Sequence, residues 1–219
     1  MSGFRMCAGI SHRSFADCAI VLDTGRDRYW KVDAEAAFAL DRIAGQHTQP
    51  VDPALFDRLE QMGLVEPRSG DEPAVSSPIL PAPGESAVEG DGPRPRFDLA
   101  EAIEVVRLAC AARRAVHRHP LASLLADVAR ARAFPASDGS AIELARRFDR
   151  YRRLVPLANR CLPDTLAFLR FAGHRGCFPT LVFGVEAWPF AAHCWAQSGN
   201  VVLNDALDHA RAFSPILAI

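Results

Sequence analysis

Apolar and polar positions alternate in period along the chain, and the changes of period mark its elements. Cys18 to Asp23 (CAIVLD) is a short apolar run, Thr24 to Asp27 (TGRD) a turn, and Arg28 to Val32 (RYWKV) a second strand. The pair predicts a β-hairpin. Asp33 then stands where a helix N-cap is needed, without the glutamate of a full capping box, since Ala36 follows three residues on. The helix it predicts runs from Ala34 to Ala44, buries Ala36, Phe38 or Ala39, Leu40 and Ile43, and stops at Gly45. A second helix starts at Pro53 and runs to Gly63, with Leu55, Leu59 and Met62 on one face. An earlier strand is placed around Met6 to Ile10. The order is β-β-β-α-α.

The second half opens in a helical period. Residues 98–119 carry Ile103, Val106 and Cys110 at spacings that put them on one buried face. Two more helices follow, rich in arginine (Arg130, Arg132, Arg146, Arg147, Arg150, Arg152, Arg153), and are read as solvated faces. Cys161 to Gly173 forms a further helix with a stripe of Leu162, Leu166 and Leu169, and Pro163 is tolerated in its first turn. Then the period changes to two. Cys177 to Val185, Pro189 to Gln197 and Val201 to Asp205 read as strands, so helices precede an antiparallel sheet. Between the halves, residues 67–96 hold all seven of the prolines between Glu66 and Phe97, out of sixteen in the chain, with Gly, Ser and acidic residues. That composition predicts a linker between domains 1–66 and 97–219.

Composition narrows the classes. A formal net charge of -1 over 219 residues gives no general pull toward nucleic acid or an anionic membrane. No apolar run is long enough to span a bilayer, and the first residues lack the apolar core of a signal peptide. The six cysteines are scattered without a C-x-x-C pair, which points to reduced thiols and a cytoplasmic setting.

The chemistry concentrates in AAHCWAQSGNVVLND, Ala191 to Asp205. A three-residue loop Ser198-Gly199-Asn200 sets Gln197 opposite Val201, Trp195 opposite Leu203 and His193 opposite Asp205, with Cβ atoms about 4.5–5.5 Å apart. A two-residue loop moves this register by one. An aspartate on one imidazole nitrogen fixes the tautomer and frees the other as a base. Cys161 is the candidate nucleophile, because a helix start favours the thiolate and presents N–H groups to an oxyanion. Cys194, next to His193 on a strand, is expected to point to the opposite face. A zinc site from His193, Cys194 and Cys177 is the structural alternative and lacks paired spacing.

The set RCLPDTLAFLRFAGHRG, LVFGV, PFAAHCWAQ and VVLND resembles the lasso-peptide B proteins, transglutaminase-like cysteine peptidases that remove the leader from a lasso precursor. The resemblance covers roughly Phe97 to Ile219. It implies Cys161 as nucleophile, His193 as general base and Asp205 as orienting acid, with no metal or cofactor. Cys194 and Gln197 depart from the small residue and the glutamate frequent at those places. The first seventy residues resemble the PqqD-like leader-recognition module, a small winged-helix-type domain, through the VLD, YWKVD and LD-x-I pattern. The fold implied is α+β, a PqqD-like domain followed by a papain/transglutaminase-like domain. The leader then adds a strand beside Arg28–Val32 and packs on Pro53–Met62, with Tyr29, Trp30, Lys31, Leu55, Arg58 and Leu59 lining the groove. The partners implied are the precursor peptide and an asparagine-synthetase-like cyclase. Two other classes stay open, an acyl transferase with the same triad and a non-catalytic leader-binding adaptor.

Overall fold

A computed structural model of the chain describes residues 4–45, 52–68, 80–89, 97–132 and 140–219. It divides into two units: Met1–Pro78 with Ala187–Ala191, and Ile79–Glu186 with Ala192–Ile219. The first unit contains β1 (Phe4–Met6), β2 (Ile10–Ser14), β3 (Cys18–Asp23), β4 (Arg28–Asp33), α1 (Ala34–Ile43), α2 (Pro53–Gln61) and β5 (Val65–Pro67). Strands β2, β3 and β4 form an antiparallel sheet in that order, and β1 pairs with β5. The β3–β4 register runs from Cys18 opposite Asp33 to Asp23 opposite Arg28, the hairpin expected from the pattern. Asp23 closes its turn by accepting the Arg26 backbone N–H at 2.9 Å.

The expected strand over Met6–Ile10 is instead a turn between two strands, where the Ile10 N–H donates to the Cys7 carbonyl at 3.1 Å. Strand β3 is buried throughout. On one side, Ala19, Val21 and Val32 of the sheet meet Ala36 and Leu40 of α1, Leu59 of α2, and Leu64 and Val65. Asp33 caps α1 by accepting the Ala36 N–H at 2.9 Å and also takes the Arg58 guanidinium at 2.5 Å. One carboxylate therefore ties the start of α1 to α2.

The second unit contains β6 (Glu85–Ser86), α3 (Leu99–Arg118), α4 (Leu121–Ala131), α5 (Ala141–Arg152), α6 (Cys161–Gly173), β7 (Thr180–Ala187), β8 (Phe190–Ser198), β9 (Val201–Val202), α7 (Leu207–Arg211) and β10 (Ser214–Ala218), with residues 187–191 of β7 and β8 grouped with the first unit. Its sheet has the order β10-β7-β8-β9-β6. Helix α6 buries Pro163, Thr165, Leu166, Ala167, Phe168, Leu169, Phe171 and Ala172, far more than the expected leucine stripe. A helix apolar on most sides belongs in the interior, and α6 is this unit's central helix. Phe148 of α5 packs on Phe168 and Phe171 with ring centroids 5.4 and 5.6 Å apart.

Three expectations change here. The buried face of α3 is Glu101, Val105, Ala109 and Ala112, while Ile103 and Val106 are 52% and 40% exposed. Small alanines allow close helix packing, and Glu101 is buried because Arg147 and Arg175 neutralise it, with Arg175 at 3.1 Å. The arginine-rich α5 is likewise not wholly a solvated face, since Arg152 is buried. Finally, residues 80–89 lie inside the span read as linker yet form an ordered strap. Glu85 and Ser86 pair in parallel with Val201 and Val202, Leu80 packs on the Val182–Trp195–Val202 core, and Ala87 is buried. Extended, proline-flanked backbone suits an edge strand.

Candidate active site

Every residue of the site comes from the second unit. Cys161 is the first residue of α6, with Arg160 as N-cap. The Arg160 side chain does not cap the helix; instead Asp164, four residues on, reaches back to accept the Arg160 N–H at 3.0 Å. It plays the part of a capping box's returning arm, one residue later than the usual N3 place. Asp164 is itself held by buried Arg152, whose Nε and Nη2 reach its two oxygens at 2.8 and 3.1 Å. The same guanidinium donates to the Leu157 carbonyl at 3.2 Å. A bidentate pair with its remaining donors satisfied is the geometry in which a buried ion pair is tolerable. It fixes the helix start and with it the Cys161 sulfur.

His193 lies on β8 and meets Asp205 through Nε2 and Oδ2. The route differs from the one expected. The β8–β9 turn has two residues, so Gln197 faces Val202 and Ser198 faces Val201. Gly199 supplies the positive φ of 57° that the tight turn needs. The strand then ends after Val202. The Asn204 side chain takes over from the ladder, accepting the Ala196 N–H at 2.7 Å and donating to Thr165 Oγ1 at 2.8 Å. Leaving the strand one residue out of register, Asp205 still swings its carboxylate onto His193. The Ser86 hydroxyl anchors its backbone carbonyl at 2.7 Å, and its Oδ1 accepts the Ala206 N–H at 2.8 Å.

The electrostatics follow from these contacts. Cys161 is lowered to about 4 by a hydrogen bond from the Cys194 thiol, against the opposing effect of burial and with further help from His193. Burial disfavours the His193 cation, but hydrogen bonds to Asp205 and Cys161 outweigh it and raise its pKa to about 9. Burial also opposes the Asp205 charge, and the two imidazoles of His193 and His209 hold its pKa below the usual carboxylate range. Between those limits the sulfur is a thiolate and His193 an imidazolium. With Nε2 on Asp205, Nδ1 is the nitrogen left for the sulfur.

Cys194 was expected to point to the face opposite His193, and not to support Cys161. Its thiol instead hydrogen-bonds to Cys161, and that contact together with burial pushes its own pKa well above the ordinary thiol value. Cys177 is buried, with a raised pKa due to burial, and takes no part. The zinc alternative with Cys177 and Cys194 is replaced by a different set: among the described residues, His193, Asp205 and His209 are the group whose ligand atoms converge. Cys161, His193, Cys194, Asn204, Asp205 and His209 line a cavity of about 390 Å³. His209 was missed. Its signal was the i, i+4 spacing from Asp205, invisible while residues 201–205 were read as strand.

The expected groove residues divide by burial. Leu59 is fully enclosed in the first unit's core and is unavailable to a ligand, and Trp30 packs against the same core. Tyr29 and Lys31 occupy the other face of β4, against Phe190 and Trp188 of the same unit. Leu55 is partly buried, and Arg58 is committed to Asp33.

A cysteine at the start of a central helix, a histidine on the following sheet and an aspartate just beyond its next strand line one cavity. Residues 102–218 match the family model described as Transglutaminase-like superfamily, and the chain belongs to that superfamily. It includes cysteine peptidases and acyl transferases. No curated protein and no solved structure matches the chain significantly. No described helix is long and apolar enough to cross a membrane.

Proposed function

We propose that the protein is a cysteine peptidase that removes the leader from a ribosomally made lasso-type precursor, with its first unit holding the leader. The observation that carries the chemistry is the Cys161–His193–Asp205 arrangement in one cavity. The Cys161 thiolate attacks the carbonyl carbon at the leader–core junction. His193 delivers its Nδ1 proton to the departing amine, which leaves as the core's α-amino group. The leader stays behind as a thioester. His193, now neutral and held in that tautomer by Asp205, takes a proton from water, and hydroxide addition releases the leader as a carboxylate. Backbone N–H groups at the α6 start are suited to the oxyanion.

The leader-binding half of the reading is supported by β4, the terminal strand of its sheet, which leaves one row of backbone groups for an added strand. With Leu59 enclosed, the groove reduces to the β4 edge, Leu55 and Arg58. The freed amine is the natural substrate of an ATP-dependent, asparagine-synthetase-like cyclase, proposed here as the partner. The test is incubation with the precursor peptide followed by mass spectrometry. Addition of one water across the junction supports the peptidase. A product joined to an added amine makes the chain an acyl transferase, and an intact precursor with tight binding makes it an adaptor.

A further inference from the structure

The Asp205 carboxylate sits between two imidazoles. His193 Nε2 meets Oδ2, and His209 Nδ1 lies 3.1 and 3.0 Å from Oδ1 and Oδ2. One ligand atom from each of the three lies within 4.8 Å of the others. Orienting His193 requires only the carboxylate, so the second imidazole is surplus to that task. We propose that His193, Asp205 and His209 form an inhibitory Zn²⁺ site, filled by displacing the proton that joins His193 to Asp205.

The donor set is right for that ion. Two imidazoles and a carboxylate with a fourth position left for water is a recurrent zinc arrangement. Bonds of about 2.0–2.1 Å in a tetrahedron set ligand atoms roughly 3.3 Å apart. The His209–Asp205 separations are already close to that, His193 and Asp205 must part, and the two imidazole nitrogens start within 4.8 Å of each other. His209 is held in place by its rings' neighbours, 4.4 Å from the His193 centroid and edge-on to Phe213 at 5.5 Å. Its side chain is 52% exposed, so the ion arrives from solvent, and the shared cavity leaves room for its water.

The inhibition follows from proton accounting, and rests on the role given to His193 above. Zn²⁺ takes the Nε2 lone pair and releases the proton there to solvent. The ring then carries its only proton on Nδ1. Giving that proton to a leaving amine would create a metal-bound imidazolate, so His193 no longer cycles as acid and base. Cys161 keeps the helix start and the Cys194 thiol as its stabilisers. It therefore remains a free thiolate, unlike a sulfur captured directly by zinc.

The experiment uses the full-length Cys161→Ala chain, titrated with Zn²⁺ in competition with a chromophoric chelator. One ion per chain is expected, and His209→Ala in the same background binds at least about 100-fold more weakly. His209→Gln, which keeps a polar group of similar reach, serves as a second variant if the first is unstable. In the wild-type chain, Zn²⁺ stops precursor cleavage while iodoacetamide still alkylates Cys161, read at that peptide by mass spectrometry, and EDTA restores cleavage. No stoichiometric binding in Cys161→Ala, or binding indifferent to His209, overturns the site. So does Zn²⁺ that protects Cys161 from alkylation, which would make the sulfur the ligand. The binding measurement needs no substrate, so it stands or falls apart from the leader-peptidase reading.

Discussion

Asp205→Asn removes a charge and leaves the shape. The asparagine oxygen can still accept the Ala206 N–H that Oδ1 now takes at 2.8 Å, and Ser86 still holds the backbone carbonyl. What is lost is the carboxylate on His193 Nε2. A hydrogen bond to a charged group contributes roughly 1.5–3 kcal/mol. At about 1.4 kcal/mol per pKa unit this lowers the His193 pKa by roughly one to two units. The tautomer suffers as well. An amide N–H directed at Nε2 pushes the neutral ring's proton onto Nδ1, so the lone pair needed to activate water faces the wrong way. In a serine triad the same change costs about 10⁴ in kcat. Here Cys161 is already held as a thiolate, first by the Cys194 thiol and then by His193, so attack is largely spared, and a fall of about 10²–10³ is expected.

The pH dependence carries the sharper test. Because the Cys161 pKa is lowered to about 4, the thiolate is present above that pH. Because the His193 pKa is raised to about 9, the imidazolium is present below that pH. Single-turnover cleavage by the wild-type chain should therefore plateau between these limits. In Asp205→Asn the basic limb should move down by roughly one to two units, while alkylation of Cys161 continues. A variant with the wild-type rate and an unmoved basic limb would refute the claim that Asp205 acts on His193.

Other perturbations separate the remaining roles. Cys161→Ala should abolish cleavage and spare leader binding, whereas Cys194→Ala should keep the nucleophile but raise the acid limb of Cys161 alkylation by roughly one unit, through loss of the thiol donor. An unmoved limb would show that Cys194 does not support the thiolate. Gln197→Glu should lower thermal stability by roughly 2–4 kcal/mol at neutral pH, because buried Nε2 donates to the Pro81 and Gly199 carbonyls at 2.7 and 2.8 Å and a carboxylate would oppose both. The melting temperature should recover in part under acid, as the glutamate protonates. Cutting the chain near Pro78, ahead of the strap, should leave a second unit that cleaves slowly at sub-saturating precursor; a cut at Gly84 would break the strap itself, whose Gly84 N–H donates to Asn200 at 2.8 Å. Equal rates for cut and intact chains would remove the first unit from substrate capture.

What could be read from the residue pattern was local. The β3–β4 hairpin is as expected because an apolar run, a TGRD turn and a second strand decide it within sixteen residues. The helix start at Cys161 was legible in the same way, from the arginine, the proline two residues on and the leucines beyond. The His193–Asp205 meeting was legible as an outcome but not as a geometry. A side chain, Asn204, replaces the backbone ladder at the strand's end, and no periodicity encodes that substitution. The face of α3 was misread for a related reason. Hydropathy favours Ile103 and Val106, yet close packing favours Ala109 and Ala112, and Glu101 joins them only because arginines 46 and 74 residues away neutralise it. The strap was hidden by its prolines, which argue against a central strand but not against an edge. These non-local contacts converge on the reactive groups. Arg152 through Asp164 sets the sulfur, Asn204 and Ser86 set the carboxylate, and Cys194 sets the thiolate. The proposed nucleophile, base and acid, Cys161, His193 and Asp205, can be picked out in one dimension, whereas their pKa values are set by residues that only the fold brings near.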